Sequence, residues 1–149
     1  MHERFMDMAL EEARKAELAG EVPVGAVIVD RDGVVIASGF NQPISSNDPT
    51  AHAEIVAMRR AAEHMRNYRL SGLTLYCTME PCIMCAGALV HARIQMLIYG
   101  AADPRAGAVN SIYNILGDSR LNHQVEVVSG VREQECREIV QRFFAARRG

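Results

Sequence analysis

The residue types able to do chemistry in this sequence fall in two short stretches. The first is PTAHAEI, residues 49–55, where His52 stands two positions before Glu54. The second is MEPCIMC, residues 79–85, where Cys82 and Cys85 are separated by two residues and follow Pro81. One imidazole and two thiolates make a three-donor zinc set with one tetrahedral position open, the arrangement of a catalytic rather than a closed structural zinc. The open position takes a water, whose pKa the metal lowers towards neutrality. Glu54, beside the imidazole, is suited to take and return that proton. The cysteines have two competing readings. A Cys-x-x-Cys redox pair belongs after the first strand of a βαβ unit, whereas this pair comes late and follows a proline. Cys77 could add a third thiolate and close a structural site. It lies inside an apolar strand pattern, however, where a thiol behaves as a small core residue.

The spacing also says how these residues must be presented. Residues two apart on a helix are about 200° apart, so His52 and Glu54 meet a common target only off the helix's N-terminal end. Pro49 and Thr50 put that end just before His52. Cys82 and Cys85, three apart, share one face in the first turn of a second helix begun by Pro81. Both motifs thus point at helix N-termini, whose partial positive charge favours thiolates and a bound hydroxide.

The rest of the chain supplies elements to hold them. Phe5, Met6, Ala9, Leu10, Ala13 and Ala16 share a helical face that ends near Gly20. VPVGAVIV (22–29) and VVIASGF (34–40), joined through DRDG, predict a hairpin. FNQPISSNDPT (40–50) has loop chemistry. A helix is expected from Ala51 to about Asn67, a strand over 73–78, a helix over 82–92 and a strand over 94–100. Residues 101–122 are turn-rich with room for a further helix; a strand over 125–130 and a helix to Arg148 follow, with Val140, Phe143 and Phe144 as its apolar part. A hairpin followed by alternating helices and strands predicts an α/β fold, a mixed sheet covered by helices on both faces. Nothing marks a linker or repeat, so residues 1–149 are expected to be a single domain.

Composition narrows the partners. The chain has 149 residues, 49% apolar and 23% charged, with a net charge of −2, so nucleic acid would have to be met by a local basic patch. Arg132, Arg137, Arg142 and Arg147 recur in steps of five, about 140° on a helix, and spiral around it; some should pair with Glu133, Glu135 and Glu138. Only the Arg147–Arg148 end concentrates charge. No apolar run approaches the roughly 18 residues of a membrane span. The first residues carry acids and no apolar h-region, which argues against a secretory signal. The expected location is therefore cytoplasmic, with the cysteines reduced. The helix over 82–92 is apolar almost all round and needs cover, which a second copy of the chain would supply. His64, His91 and His123 lack ligand spacing, His2 is expected to fray, and Cys136 is expected in the core.

VPVGAVIV, DPTAHAEI, NYRL, TLYCTMEPCIMCAGAL, HARI and the Asn122–His123 pair together resemble the bacterial tRNA-specific adenosine deaminases, within the cytidine deaminase-like zinc-dependent superfamily. The resemblance runs from about Phe5 to Arg148. H-x-E…P-C-x-x-C is the zinc-deaminase signature of the superfamily as a whole; the flanking blocks are what favour the tRNA enzymes. The resemblance implies a three-layer α/β/α fold with a five-stranded mixed sheet, a homodimer, one Zn2+ per subunit and no organic cofactor. It implies hydrolytic conversion of adenosine to inosine at the wobble position of a tRNA anticodon stem–loop. Carried over by position, His52, Cys82 and Cys85 bind zinc and Glu54 shuttles protons. Asn41 contacts the flipped base or its ribose, the Ala53 backbone holds the base edge, Asp103 meets the RNA backbone, and Arg147 and Arg148 meet the anticodon loop. Cys77 departs from the plain apolar residue expected there. A deaminase of free guanine, cytosine or nucleosides would use the same four inner residues and differ in the outer pocket. A non-catalytic zinc-stabilised nucleic-acid-binding module would account for the ligands but not for Glu54.

Overall fold

Strands β1 (Gly25–Val29) and β3 (Thr74–Met79) sit in the middle of the sheet, and their near-continuous burial reflects cover on both faces. The computed structural model describes residues 1–148. Chain order is α1 (His2–Leu18), β1, β2 (Val35–Phe40), α2 (Pro43–Ser46), α3 (Ala53–Met65), β3, α4 (Ile83–Ala92), β4 (Met96–Ala101), β5 (Glu126–Val128) and α5 (Glu133–Arg148). The sheet order is β2-β1-β3-β4-β5. β1 is antiparallel to both neighbours, whereas β3, β4 and β5 run parallel, so the five-stranded sheet is mixed as expected.

Alternate residues of the central strands feed two cores. Ala26, Ile28, Leu75 and Leu97 pack under α3 and α4 with Ala57, Ala61, Ala86 and Leu89. Val27, Val29, Tyr76 and Ile98 pack on the other face with Phe5, Met6, Leu10, Cys136 and Ile139 from α1 and α5. The small residues let helices lie directly on strands. A Cβ on Gly39 would fall 2.8 Å from Ala57 N and 2.9 Å from Ala53 O, so the start of α3 is seated against β2. On the opposite face, a Cβ on Gly25 would overlap the carbonyl oxygen of Ala9 in α1.

Four expectations are corrected. No helix forms within 101–122; this stretch is turns, with several of its N–H groups turned towards a remote carboxylate, Glu80. The loop 40–50 instead contains the one-turn helix α2, whose Ile44 and Ser45 N–H groups donate to the Glu21 carboxylate at 3.3 and 2.6 Å. His2 does not fray: it lies in α1 with Nδ1 2.8 Å from the Tyr76 hydroxyl. In α5 the buried residues are Cys136, Ile139 and Phe143, while Phe144 is 44% exposed. Neighbouring helical residues are about 100° apart, so the two phenylalanines cannot both face the sheet.

Gly25→Ala should destabilise the protein by about 3 kcal/mol, because the obstruction is backbone and cannot rotate away. Thermal unfolding should then show a fall in Tm of roughly 6–10 °C.

Candidate active site

The helices α3 and α4 begin at one place beside the end of β3, and each begins on a residue with a metal-binding side chain. His52 is the N-cap of α3 (φ −70°, ψ 155°) and Cys82 the N-cap of α4 (φ −77°, ψ 179°). Neither makes a side-chain capping hydrogen bond, so both are free to turn off their helix ends. Pro81 thus precedes the cap rather than starting the helix itself. Cys85 follows one turn on, fully buried.

His52 Nδ1 lies 3.5 Å from Cys82 Sγ and 3.6 Å from Cys85 Sγ. The donor atoms all fall within 4.8 Å of one another, the only such group among the described residues. Zn–S bonds of about 2.3 Å and Zn–N bonds of about 2.0–2.1 Å in tetrahedral geometry put sulfur and nitrogen about 3.5 Å apart, so the donor set fits zinc. Hydrogen bonding from Cys85, and then from His52, pulls the Cys82 thiol well below its ordinary value. Cys85 is pushed up by its bond to Cys82 and by burial. A divalent cation held by both requires both as thiolates and His52 neutral.

Glu54, in the first turn of α3, is 4% exposed. Burial pushes its carboxyl up from the ordinary range, while its own N–H and His52 pull the other way. It faces a cavity of about 720 Å³. The cavity brings Asn41, His52, Glu54, Cys82, Asp103, Arg147 and Arg148 together, with Val22, Val24, Met79, Val140 and Phe144 as apolar wall. Ala53 is buried and is not part of the wall. Asp103 Oδ1 accepts from the N–H groups of Arg105 (3.0 Å) and Ala106 (3.3 Å), so its side chain closes its own turn. Arg147 stacks 3.7 Å over the Phe143 ring and donates to Gly20 O at 3.4 Å. Arg132, just before α5, pairs with Asp7 (3.0 Å), and within α5 Arg137 pairs with Glu133 (3.0 Å) and Arg142 with Glu17 (3.3 Å). Cys77 is buried on β3 and outside the donor group, its thiol pushed up chiefly by burial.

Sequence reasoning missed two residues that shape this cavity. Glu21 and Glu80 are both buried, 1% and 3% exposed. Each binds the loop that carries a wall residue, Glu21 the one after Asn41 and Glu80 the one after Asp103. The available signal was an acid beside apolar residues just ahead of a proline, Glu80 directly before Pro81 and Glu21 two positions before Pro23, a setting in which a carboxylate needs partners.

Residues 1–101 match the sequence model of the cytidine and deoxycytidylate deaminase zinc-binding region. The chain belongs to this family. Over 146 residues it is 50% identical to the tRNA-specific adenosine deaminase of Haemophilus influenzae, covering 98% of this chain and 84% of that protein. Over 142 residues it is 45% identical to the tRNA-specific adenosine deaminase of Bacillus subtilis, covering 95% and 88%. A structure solved in work on A-to-I editing by tRNA:A34 deaminases superposes with a TM-score of 0.88 at 48% identity, covering 91% of this chain and 98% of that one. The protein is thus a zinc-dependent deaminase with the cytidine deaminase-like fold, and zinc is the metal its donor group suits.

Replacing His52, Cys82 or Cys85 by alanine should reduce the zinc content of the purified deaminase from one per chain to a small fraction of that. Asn41→Ala, at the cavity wall but outside the donor group, should leave zinc content unchanged. Elemental analysis by mass spectrometry reads both outcomes.

Proposed function

We propose that this deaminase converts adenosine to inosine at the wobble position of a tRNA anticodon stem–loop. The carrying observation is the single cavity in which Glu54 and the donors His52 and Cys82 share walls with Asn41, Asp103 and the Arg147–Arg148 helix end. An unpaired loop base can be unstacked at little cost and inserted, while cationic side chains at the rim meet the phosphates. The two tRNA-specific relatives support the same substrate.

His52, Cys82 and Cys85 hold the zinc, one per chain. When bound, the metal supplies an activated water at neutral pH. Glu54 accepts a proton as the water oxygen adds to C6 of adenine and delivers it to N1. It then passes the second water proton to the exocyclic nitrogen; the C6–N bond breaks, ammonia leaves, and the oxygen stays as the inosine carbonyl. Asn41 contacts the inserted base or its ribose, and the Ala53 backbone holds the base edge. The turn at Asp103 lies against the RNA backbone, and Arg147 and Arg148 against the anticodon loop. Water is the co-substrate, and no organic cofactor has a step to perform.

The working unit is a homodimer. Ile83 on α4 is 56% exposed, and residues of α3 and α4, among them Ile55, Met58, Ala62, Ala88 and His91, line a largely apolar groove with Tyr68. A second copy covers such a surface. The thiolate ligands suit a reducing cytoplasmic setting; no described helix is long and apolar enough to cross a membrane.

With an ACG-anticodon stem–loop, the purified zinc-loaded protein should form inosine at the first anticodon position. Guanine, cytosine and cytidine should release no ammonia above background. The reverse pattern, free bases turned over and RNA left intact, would make it a small-molecule deaminase using the same four inner residues.

A further inference from the structure

Glu80 follows the last residue of β3 and stands directly before Pro81 and the ligand Cys82, and its side chain is enclosed by the segment 103–111. Oε2 accepts from the backbone N–H groups of Val109 (3.0 Å), Asn110 (2.8 Å) and Ser111 (3.0 Å). Oε1 accepts from the N–H of Asp103 (3.0 Å) and from the Ser111 hydroxyl. A carboxylate has about four lone-pair sites, so these five donors leave no acceptor free for substrate. The backbone reinforces the link: Ala108 N donates to Pro81 O at 2.9 Å, and Cys82 bridges to Gly107. A Cβ on Gly107 would overlap the Glu80 carboxylate, so the segment closes on it only at a glycine.

This is a nest of N–H groups whose anion is the protein's own side chain. Its connectivity is unusual in what it joins. The segment it holds carries Asp103, Pro104, Arg105 and Ala106, which form one wall of the cavity. The residue that holds it is two positions from a proposed zinc ligand. We infer that Glu80 is a positioning residue for the RNA substrate: it fixes the 103–106 wall in register with the metal side of the cavity, acting through the turn at Asp103. Both oxygens must act as acceptors. Glutamine in either orientation turns an NH2 towards N–H donors, so it fits the space and breaks the nest.

The inference rests on the proposed RNA substrate, and its test separates the two. Glu80→Gln should keep one zinc per chain. Its Kd for a fluorescent anticodon stem–loop, read by anisotropy, and its KM should rise about tenfold, with kcat at saturating RNA within about threefold of wild type. In an Asp103→Ala background, Glu80→Gln should add little to Kd, because both act through one turn. Unchanged Kd and KM would overturn the inference. So would a loss of zinc and kcat at unchanged Kd, or penalties that simply add in the double variant. If Glu80→Gln does not fold, Ser111→Ala removes one donor from the nest and should raise Kd in the same direction by less; an unchanged Kd there counts against the inference. A wild-type enzyme that makes no inosine would overturn the substrate reading, whereas an active wild type matched by Glu80→Gln would overturn only the role of Glu80.

Discussion

Everything at this site depends on two helices starting at the same point. His52 and Cys82 are at once the N-caps of α3 and α4 and the carriers of two of the donor atoms, so donor spacing is set by how the helices seat on the sheet. That seating is fixed by close contacts. Gly39 admits the start of α3, and Ala53, Ala57, Ala61 and Ala86 keep both helices low on the strands. A methyl group added at Gly39 would lift the imidazole away from sulfurs now 3.5 and 3.6 Å distant. The same placement turns two helix N-termini, each with partial positive charge, towards groups that must be anionic to bind metal. Glu54 follows automatically: on the first turn behind His52 it can only face the space off the helix end.

The floor of the cavity is therefore rigid secondary structure, but its walls are loops. Loops do not hold a wall in place unless their backbone groups find partners. Here two buried carboxylates provide them. Glu21 receives N–H groups from α2, just after Asn41, and Glu80 receives those of the segment that begins at Asp103. For Glu80, burial pushes the carboxyl up and the hydrogen bonds from Asn110, Ser111, Asp103 and Val109 outweigh it, so the net shift is downward. The charge is kept because it is fully solvated by protein dipoles.

What could be read from the sequence divides along the same line. The donor set was legible because ligand chemistry depends on residue type and short spacing, and the helices because their apolar periods are local. The mixed sheet followed from element order, and its five strands from the family resemblance. Features made by distant partners were not legible. α2 depends on Glu21, over twenty positions earlier than Ser45; the turns of 101–122 depend on Glu80; and His2 is held by Tyr76, 74 positions away. Phe144 was misjudged for a different reason: hydrophobicity says that an aromatic residue is worth burying, not which of two adjacent ones the helix can bury. Exposed at the cavity, it joins the wall instead.

Glu54 is proposed to move the protons of hydrolysis at a metal site it does not help to build. The most direct measurement compares wild type with Glu54→Gln in single-turnover inosine formation on the anticodon stem–loop, with zinc content and RNA affinity read on the same samples. Both proteins should hold one zinc per chain and bind the RNA with wild-type affinity, with inosine formation at least about 10²-fold slower in the variant. Inosine formation by zinc-loaded Glu54→Gln at a rate near that of wild type would overturn the proton-transfer role of Glu54.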